Sequence, residues 1–343
     1  MSAGRSSREI ARHQRLSPGQ AGVQGSQLES LRLSIWSLGM TNKILVISEY
    51  TALIERNFPQ VRVQTAHPIT RGRDSLVLEV NDELIFRFPM REDVAQRQQQ
   101  EICLLPHLVP KLSAPIPRFE YIGRGDGDYP FSFMGYRKLH GIALEEERIS
   151  QEHLLALAPA LGTFLSELHS FPLTEARQAG LKEHSPQEWL AEYRERYLDL
   201  RQRVFPMLEA DLRAFSEQHW ESFLADEAFL MFRPVLIHWD LFCEHILCDP
   251  ERSLLTGVID WGDAGIGDGA MDFVGLAHRG GRAFTERVLA NYQEKIDEGF
   301  WRRLVYYQRY EPFATLLYGA YEDSEDLIKR GKEELRTLIA DMQ

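Results

Sequence analysis

Residues 235–249 read VLIHWDLFCEHILCD, and residues 254–272 read LLTGVIDWGDAGIGDGAMD. The apolar, β-branched runs VLI and LLTGVI are typical of strands, and the DPER segment between them is typical of a turn. Asp240 follows the first run and Asp260 follows the second. We therefore expect the two runs to be neighbouring strands whose ends bring these two carboxylates together.

Two neighbouring carboxylates suit phosphoryl transfer. Moving the terminal phosphoryl group of a nucleotide requires a divalent cation to neutralise developing charge and a carboxylate to orient the attacking hydroxyl. Asp240, within His-Trp-Asp, is the candidate catalytic base, and Asp260, within Ile-Asp-Trp-Gly-Asp, is the candidate metal ligand. His245, five residues after Asp240, is the second candidate ligand. A neutral imidazole can bind a divalent cation, although Mg²⁺ prefers oxygen ligands.

These segments resemble the catalytic and metal-binding loops of the aminoglycoside phosphotransferase family, kinase-like enzymes that include 2″-aminoglycoside kinases and macrolide kinases. The usual pattern is His-Gly-Asp followed by Asn, then Ile-Asp-Trp or Ile-Asp-Phe. Here Trp239 replaces Gly, and His245 replaces Asn as it does in some members of both groups. The resemblance extends from about Glu49 to the C-terminus. It implies an α+β, two-lobed, protein-kinase-like fold with a small β-rich N-terminal lobe and a larger, mainly helical C-terminal lobe.

The resemblance also implies a nucleotide site in the first lobe. Residues 69–75 resemble the loop that covers the phosphates, and Arg87 stands where most members carry a phosphate-holding Lys. Glu101 is the acid that would pair with this cation. Residues 129–139 resemble the fifth strand and the hinge, whose backbone groups read the nucleobase and whose bulky side chain lines the back of the pocket. The implied cofactors are Mg²⁺ and ATP or GTP, and the implied cofactor-binding residues are Ser75, Arg87, Glu101, Tyr136, Arg137 and Leu139.

The order of the signals predicts three segments. Residues 1–42, of which 1–27 are rich in Ser, Gln, Gly and Arg, form an extension that we expect to be disordered. Its Arg and Ser bias is also typical of transit peptides, but a dispensable extension before a start at Met40 is the preferred interpretation. Residues 43–138 are predicted to be the nucleotide-binding lobe and residues 139–343 the catalytic and substrate-binding lobe. Helical periodicity in the latter predicts helices at 153–170, 188–205, 283–292 and 298–318.

Length, charge and cysteine content favour some classes of protein and disfavour others. The chain has 343 residues, a formal net charge of −12 and three cysteines. Such a length predicts more than one core, and the acidic balance disfavours a nucleic-acid partner. No apolar run approaches the roughly 20 residues of a membrane span, and an odd, small number of cysteines is typical of a reducing compartment. We therefore expect a cytoplasmic protein without a membrane partner; the sequence does not indicate an oligomeric state.

Two further motifs have competing interpretations. The sequence GRGDGD at 123–128 has the composition of a phosphate cradle, but a strand pattern follows it rather than a helix, so a hairpin turn is the better prediction. Cys243 and Cys248, with His238 and His245, raise the possibility of a zinc site. Their spacing is poor and there is no second cysteine pair, so small buried residues are the preferred interpretation.

The acceptor is the least determined feature. Asp263 and Glu244 are candidate substrate residues because a cationic acceptor requires acids near the base. Against this, the HRGGR segment at 278–282 is basic where 2″-aminoglycoside kinases tend to carry acids. The leading hypothesis is Mg²⁺-dependent transfer of a γ-phosphoryl group from ATP or GTP to a hydroxyl of a small molecule, foremost an aminoglycoside. The alternatives are a macrolide or other small-metabolite kinase, and a catalytically silent nucleotide-binding protein.

Overall fold

The structure is a computed structural model that describes residues 46–71 and 74–342. The predicted extension at 1–42 lies outside the described residues, as do Gly72 and Arg73 of the predicted phosphate loop. The described chain divides into two compact units. Residues 46–98 and 119–138 form the first unit, and residues 99–118 and 139–342 form the second.

The first unit is built on a five-stranded antiparallel sheet with the strand order β1-β2-β3-β5-β4. Residues alternate between buried and half-buried along β2, as expected for a strand with one face on a core. Phe88 and Phe133 stack in that core with ring centroids 4.7 Å apart. The strands and the preceding helix are α1 (Ile47–Asn57), β1 (Ala66–Arg71), β2 (Ser75–Val80), β3 (Leu84–Pro89), β4 (Phe119–Gly123) and β5 (Phe133–Arg137).

The glycine-rich segment at 123–128 is part of the hairpin that joins β4 to β5. The Oδ1 atom of Asp126 accepts hydrogen bonds from the backbone N–H groups of Asp128 (3.0 Å) and Tyr129 (3.2 Å). This is the local bonding by which Asp stabilises turns. The prediction of a hairpin turn is confirmed.

The second unit is mainly helical. Its helices are α3 (Gln151–His169), α4 (Leu173–Gln178), α5 (Pro186–Asp199), α6 (Ala210–Ala225), α7 (Val274–Leu289), α8 (Phe300–Gln308), α9 (Glu311–Tyr321) and α10 (Glu325–Asp341). The helix α2 (Glu92–Leu108) crosses the division between the units. Two small antiparallel sheets carry the loops of interest: β6 (Ile142–Ala143), β8 (Ile246–Asp249) and β9 (Leu254–Val258) form one, and β7 (Val235–Ile237) and β10 (Gly265–Gly267) form the other.

Local sequence signals account for several helix ends. Ser185 caps α5 and forms a capping box with Glu188, and Ser324 caps α10 by accepting a hydrogen bond from Leu327 N–H.

The prediction of a single helix at 298–318 is wrong: two helices, α8 and α9, occupy this stretch. Pro312 lies in the first turn of α9, where its missing N–H is tolerated, whereas inside a continuous helix it would break a hydrogen bond.

None of the helices within residues 46–71 and 74–342 has the length and apolarity needed to cross a membrane.

Candidate active site

The candidate base and the candidate metal ligand follow strands of different sheets. β7, before Asp240, pairs with β10, whereas β9, before Asp260, pairs with β8. The expectation that the two runs are neighbouring strands was therefore wrong. The glycine-rich strand β10 takes the place beside β7 because its two glycines leave room for side chains, a pairing that strand propensity does not predict.

His245 nevertheless brings the two carboxylates together. Its Nδ1 atom lies 2.8 Å from the backbone oxygen of Asp240 and 3.4 Å from the Oδ2 atom of the same residue. Its Nε2 atom lies 3.7 Å from Oδ2 of Asp260. Asp240 and His245 are buried, while the side chain of Asp260 is half-exposed. The three residues predicted from the sequence thus form one cluster in the second unit.

Burial and neighbouring acids shape the charge of this cluster. Burial raises the pKa of Asp240 well above its usual range, and Asp263, Asp260 and Glu244 raise it further while His245 opposes them. Burial lowers the pKa of His245, but the carboxylates of Asp240 and Asp260 outweigh it and bring the pKa to about 9. Burial of Asp240 and the negative charge around His245 therefore both favour bound protons in this cluster, in which three acids face one imidazole. That excess of acids attracts a cation.

The residues present fit a divalent metal ion. Asp260 offers a carboxylate oxygen, and His245 would offer Nε2 once a cation displaces its proton, because Nδ1 is engaged with the backbone of Asp240. No group of three or more His, Cys, Asp or Glu side chains in the described parts of the chain is arranged to hold a metal. Mg²⁺ does not require one, since it is commonly bound by one or two protein groups together with substrate phosphates and water.

One oxygen of the candidate base is available for an acceptor. Within the described residues, the Oδ1 atom of Asp240 is buried without a hydrogen-bond partner. A buried carboxylate oxygen left unpaired is costly, so a hydroxyl donor at this position would be favourable. Oδ1 can accept a hydrogen bond from an alcohol and orient its oxygen as a nucleophile.

His238 ties the catalytic loop to the metal-binding loop. Its Nε2 donates to the backbone oxygen of Ile259 at 3.0 Å, directly before Asp260. Burial lowers the pKa of His238 to about 4, so the ring is neutral and one nitrogen carries the donated proton. Trp261 packs on this imidazole with ring centroids 4.6 Å apart. The imidazole of His238 thus joins the loop that carries Asp240 to the loop that carries Asp260.

Asp268 and Asp272, the last two acids of residues 254–272, form hydrogen bonds that hold the fold around the site. Asp272 accepts hydrogen bonds from the backbone N–H groups of His238 (2.9 Å) and Trp239 (2.8 Å). Asp268 accepts from Ala270 N–H and from the Arg303 guanidinium at 2.6 Å. Both acids are buried. They hold the catalytic loop and the following 3₁₀ turn in place.

The basic HRGGR segment is occupied by internal contacts. Arg279 donates to the backbone oxygens of Leu144 and Ile149 at 3.0 and 3.1 Å. Arg282 bonds the carboxylate of Glu286 at 2.9 Å and stacks over a tryptophan ring. These two cations serve the fold of the second unit, so they do not offset the acidic character of the site.

The acidic surface is larger than the sequence analysis predicted. Burial raises the pKa of Glu145, and the carboxylate of Glu244 raises it further. The pKa of Glu311 is also raised, first by burial and then by the carboxylates of Glu334 and Glu244. Glu145 and Glu334 were missed because they lie about 100 residues before and 90 after Glu244 in the chain. Glu244 thus links Glu145 and Glu311 electrostatically to the acids that act on Asp240, which are Asp260, Asp263 and Glu244 itself, and we call this set the carboxylate cluster.

The predicted nucleotide residues are distributed over both units. In the first unit, Ser75 begins β2, Arg87 lies on β3 opposite Val77 and Met134, and Tyr136 is buried on β5. The side chain of Arg137, at the end of β5, is exposed and pairs with Glu120 at 3.3 Å. In the second unit, Glu101 is buried on α2 and Leu139 packs on Gly257 of β9.

Among the described residues, Cys243 and Cys248 belong to no group of three or more possible metal ligands. Cys243 and Cys248 are free and buried, and each thiol lies 3.5 Å from a backbone oxygen, of Gly275 and Ile142 respectively. Burial raises the pKa of Cys243 to about 12 and that of Cys248 to about 11. Such neutral thiols behave as small apolar residues, as the preferred interpretation expected.

Comparison with known proteins agrees with this geometry. Residues 65–313 match the phosphotransferase enzyme family, APH. The structure of the GDP and kanamycin complex of APH(2″)-IIIa is 30% identical and superposes with a TM-score of 0.79, covering 85% of this chain and 99% of that chain. The uncharacterized protein YcbJ of Bacillus subtilis (strain 168) is 25% identical over 262 residues, 74% of this chain and 83% of the relative. Viomycin phosphotransferase of Streptomyces vinaceus is 28% identical over 179 residues, 51% of this chain and 59% of the relative.

The match covers most of the chain, and the chain belongs to the phosphotransferase enzyme family. It is a kinase-like phosphotransferase with the α+β two-lobed fold that the sequence predicted, and both of those predictions are confirmed.

Proposed function

We propose that this phosphotransferase moves the γ-phosphoryl group of ATP or GTP to a hydroxyl of an aminoglycoside. The carboxylate cluster that includes Asp240 carries the proposal, since burial, and then the charge of neighbouring acids, raises the pKa values of Asp240, Glu145 and Glu311. A polyamine acceptor supplies the positive charge that such a cluster lacks. A 30% identical relative has been solved with GDP and kanamycin, which supports the same donor and acceptor classes.

Each residue has a defined part in the proposed transfer. The acceptor hydroxyl donates a hydrogen bond to Oδ1 of Asp240, which orients it and takes its proton as the bond from the acceptor oxygen to the γ-phosphorus forms; the bond from that phosphorus to the bridging oxygen breaks, and the nucleoside diphosphate leaves. The ammonium groups of the acceptor lower the pKa of Asp240 and favour its ionised form. Asp263 and Glu244 bind those ammonium groups. Asp260 and His245 would hold Mg²⁺, which neutralises charge on the phosphates when bound.

The proposed donor site uses the residues named from the family resemblance. Arg87 binds phosphate oxygens, and the guanidinium can do so with two parallel hydrogen bonds. Ser75 lies at the end of the loop that would cover the phosphates. Glu101 is proposed as the acid of this site, and backbone groups of Arg137 and Leu139 read the base beside Tyr136.

The test is direct. Purified protein is incubated with Mg²⁺ and either ATP or GTP, together with a panel of aminoglycosides, viomycin and macrolides, and phosphorylated products are identified by mass spectrometry. Asp240→Asn serves as the inactive control. A phosphorylated aminoglycoside supports the proposal, whereas a phosphorylated macrolide alone replaces the acceptor class. Nucleotide binding without any phosphorylated product or nucleotide hydrolysis would favour the silent alternative.

A further inference from the structure

Trp239, directly before the candidate base, has an unusual backbone conformation. Its φ angle is 69°, in the left-handed region where the Cβ of a bulky residue is crowded by its own backbone. Glycine would adopt the same conformation without strain. The surroundings of Trp239 must therefore favour this side chain enough to outweigh the strain.

The indole of Trp239 stacks on a second indole. The ring of Trp189, on α5, lies 4.9 Å away between centroids with an interplanar angle of 28°. The imidazole of His184 meets Trp239 edge-on at 5.4 Å. Trp239 is 9% exposed and Trp189 is 1% exposed. Stacked and edge-to-face aromatic pairs in such a buried setting are strongly favourable.

Strand β10 is shaped for this pair of rings. A Cβ at Gly265 would lie 2.8 Å from two carbons of the Trp239 ring, and a Cβ at Gly267 would lie 2.3 Å from the Trp189 ring. Residues two apart on a strand face the same side. Each glycine therefore leaves the space that one indole occupies, and the stack depends on matched positions in three elements.

The two partners of the stack are anchored independently. Trp239 donates its backbone N–H to Oδ1 of Asp272 at 2.8 Å. Trp189 donates Nε1–H to the hydroxyl of Tyr307 at 3.0 Å, and that hydroxyl donates to Oδ2 of Asp268 at 2.6 Å. The backbone of Trp239 and its ring are thus each held by buried groups. The peptide that leads into Asp240 is fixed from both sides.

We propose that Trp239 is a positioning residue: its stack on Trp189 holds the Trp239–Asp240 peptide so that the Asp240 carboxylate keeps its orientation for phosphoryl transfer. In this proposal Trp239 acts through Asp240. The effect on turnover rests on the proposed function, whereas the effect on loop order does not.

Loop order is measured by hydrogen–deuterium exchange of the peptide covering residues 236–245. Trp239→Gly relieves the backbone strain but removes the stack, and we expect its exchange to be at least about tenfold faster than in the wild type. Trp239→Phe keeps a stacking ring and is expected to restore most of the protection. Trp301→Leu, a tryptophan replacement outside the stack, is the control. Wild-type protection in Trp239→Gly would overturn the proposal.

A second variant addresses the stack from its other partner. Gly267→Ala places a methyl group against the ring of Trp189, with no change to Trp239 itself. It is expected to loosen the same peptide, and it decides the question if Trp239→Gly does not fold. Unchanged exchange in Gly267→Ala, with Trp239→Gly unfolded, would overturn the proposal.

Turnover separates positioning from general stability. With the acceptor identified by the panel, Trp239→Gly is expected to lower kcat about 10- to 100-fold, as small misplacements of catalytic groups do, while KM for the nucleotide changes less than about twofold. Trp239→Phe should recover most of kcat. An unchanged kcat would overturn the catalytic part. If the wild type phosphorylates no acceptor, the proposed function fails, and the exchange experiment still decides whether Trp239 fixes the loop.

Discussion

Asp272 and His169 lie side by side in the core of the second unit, with Oδ2 of the acid 3.1 Å from Nε2 of the imidazole and both side chains fully buried. The same carboxylate accepts the backbone N–H groups of His238 and Trp239. The other ring nitrogen of His169 lies 2.7 Å from the hydroxyl of Tyr292. One acid therefore ties α3 to the loop that carries the candidate base.

This arrangement predicts a large loss of stability for Asp272→Ala. Two backbone N–H groups and an imidazole would lose their acceptor in a buried place, so we expect the free energy of unfolding to fall by about 3–5 kcal/mol. Asp272→Asn keeps one acceptor oxygen and should lose roughly half as much. Urea denaturation of the two variants measures this. A loss below about 1 kcal/mol in Asp272→Ala would contradict the anchoring role.

Adjacent arginines on α8 provide a matched comparison. Arg303 is buried and bonds Asp268 and Asp297 at 2.6 Å each, whereas Arg302 pairs with Asp226 at 3.2 Å from a side chain that is 60% exposed. Arg303→Ala leaves Asp268 as an uncompensated buried charge and should cost about 3–5 kcal/mol of unfolding free energy. Arg302→Ala should cost about 0–1 kcal/mol. Equal losses of unfolding free energy in the two variants would mean that burial does not determine how much these ion pairs stabilise the fold.

His219 predicts a pH dependence of stability. It is stacked between Phe215 and Phe313, and burial, followed by the charge of Arg309, lowers its pKa to about 4. The unfolded chain, with a histidine pKa of about 6.5, binds the proton more readily. The stability contribution of the neutral ring is therefore present above pH 6.5 and is lost as pH falls from about 6.5 toward 4.

The matched variant is His219→Phe, which keeps an aromatic ring and cannot titrate. Relative to this variant, the wild type should lose on the order of 1 kcal/mol of unfolding free energy between pH 7.5 and pH 5, a figure discounted for partial solvent exposure. Urea denaturation at both pH values measures the difference. A constant difference between wild type and variant across this range would contradict the prediction.

The carboxylate cluster predicts how an aminoglycoside binds. Glu145→Gln and Glu311→Gln each remove one negative charge, so we expect KM for the acceptor to rise about two- to fivefold in each, with KM for the nucleotide unchanged. Added salt should raise the wild-type acceptor KM because exposed charges are screened. Glu251→Gln, at the exposed turn between β8 and β9, is the control. Acceptor KM values equal to the wild type in both cluster variants would remove these acids from the acceptor site.

The fold was predictable because the motifs that carry the family resemblance are local and ordered along the chain. Residues 235–272 contain the strands, the turn and both Asp240 and Asp260 within forty residues. His245 lies only five residues from Asp240. Short separations leave few possible arrangements. The cluster of these three side chains therefore followed from sequence, even though the pairing of β7 with β10 did not.

The remaining features depend on residues that are distant in sequence. Glu145 joins Glu244 only through the pairing of β6 with β8, and Trp189 meets Trp239 only when α5 packs beside β10. Trp239 itself was visible as a departure from the family pattern. Its partner was not, because a tryptophan on an amphipathic helix is indistinguishable from any other core residue.

Asp240→Asn is the most direct test of whether Asp240 orients and deprotonates the acceptor hydroxyl. With the acceptor identified by the panel, steady-state transfer and nucleotide affinity are measured for the wild type and the variant. We expect kcat to fall by about 10²- to 10⁴-fold, the usual contribution of a general base, while the nucleotide Kd stays within about twofold. Transfer by Asp240→Asn at a rate close to that of the wild type would mean that Asp240 is not the base.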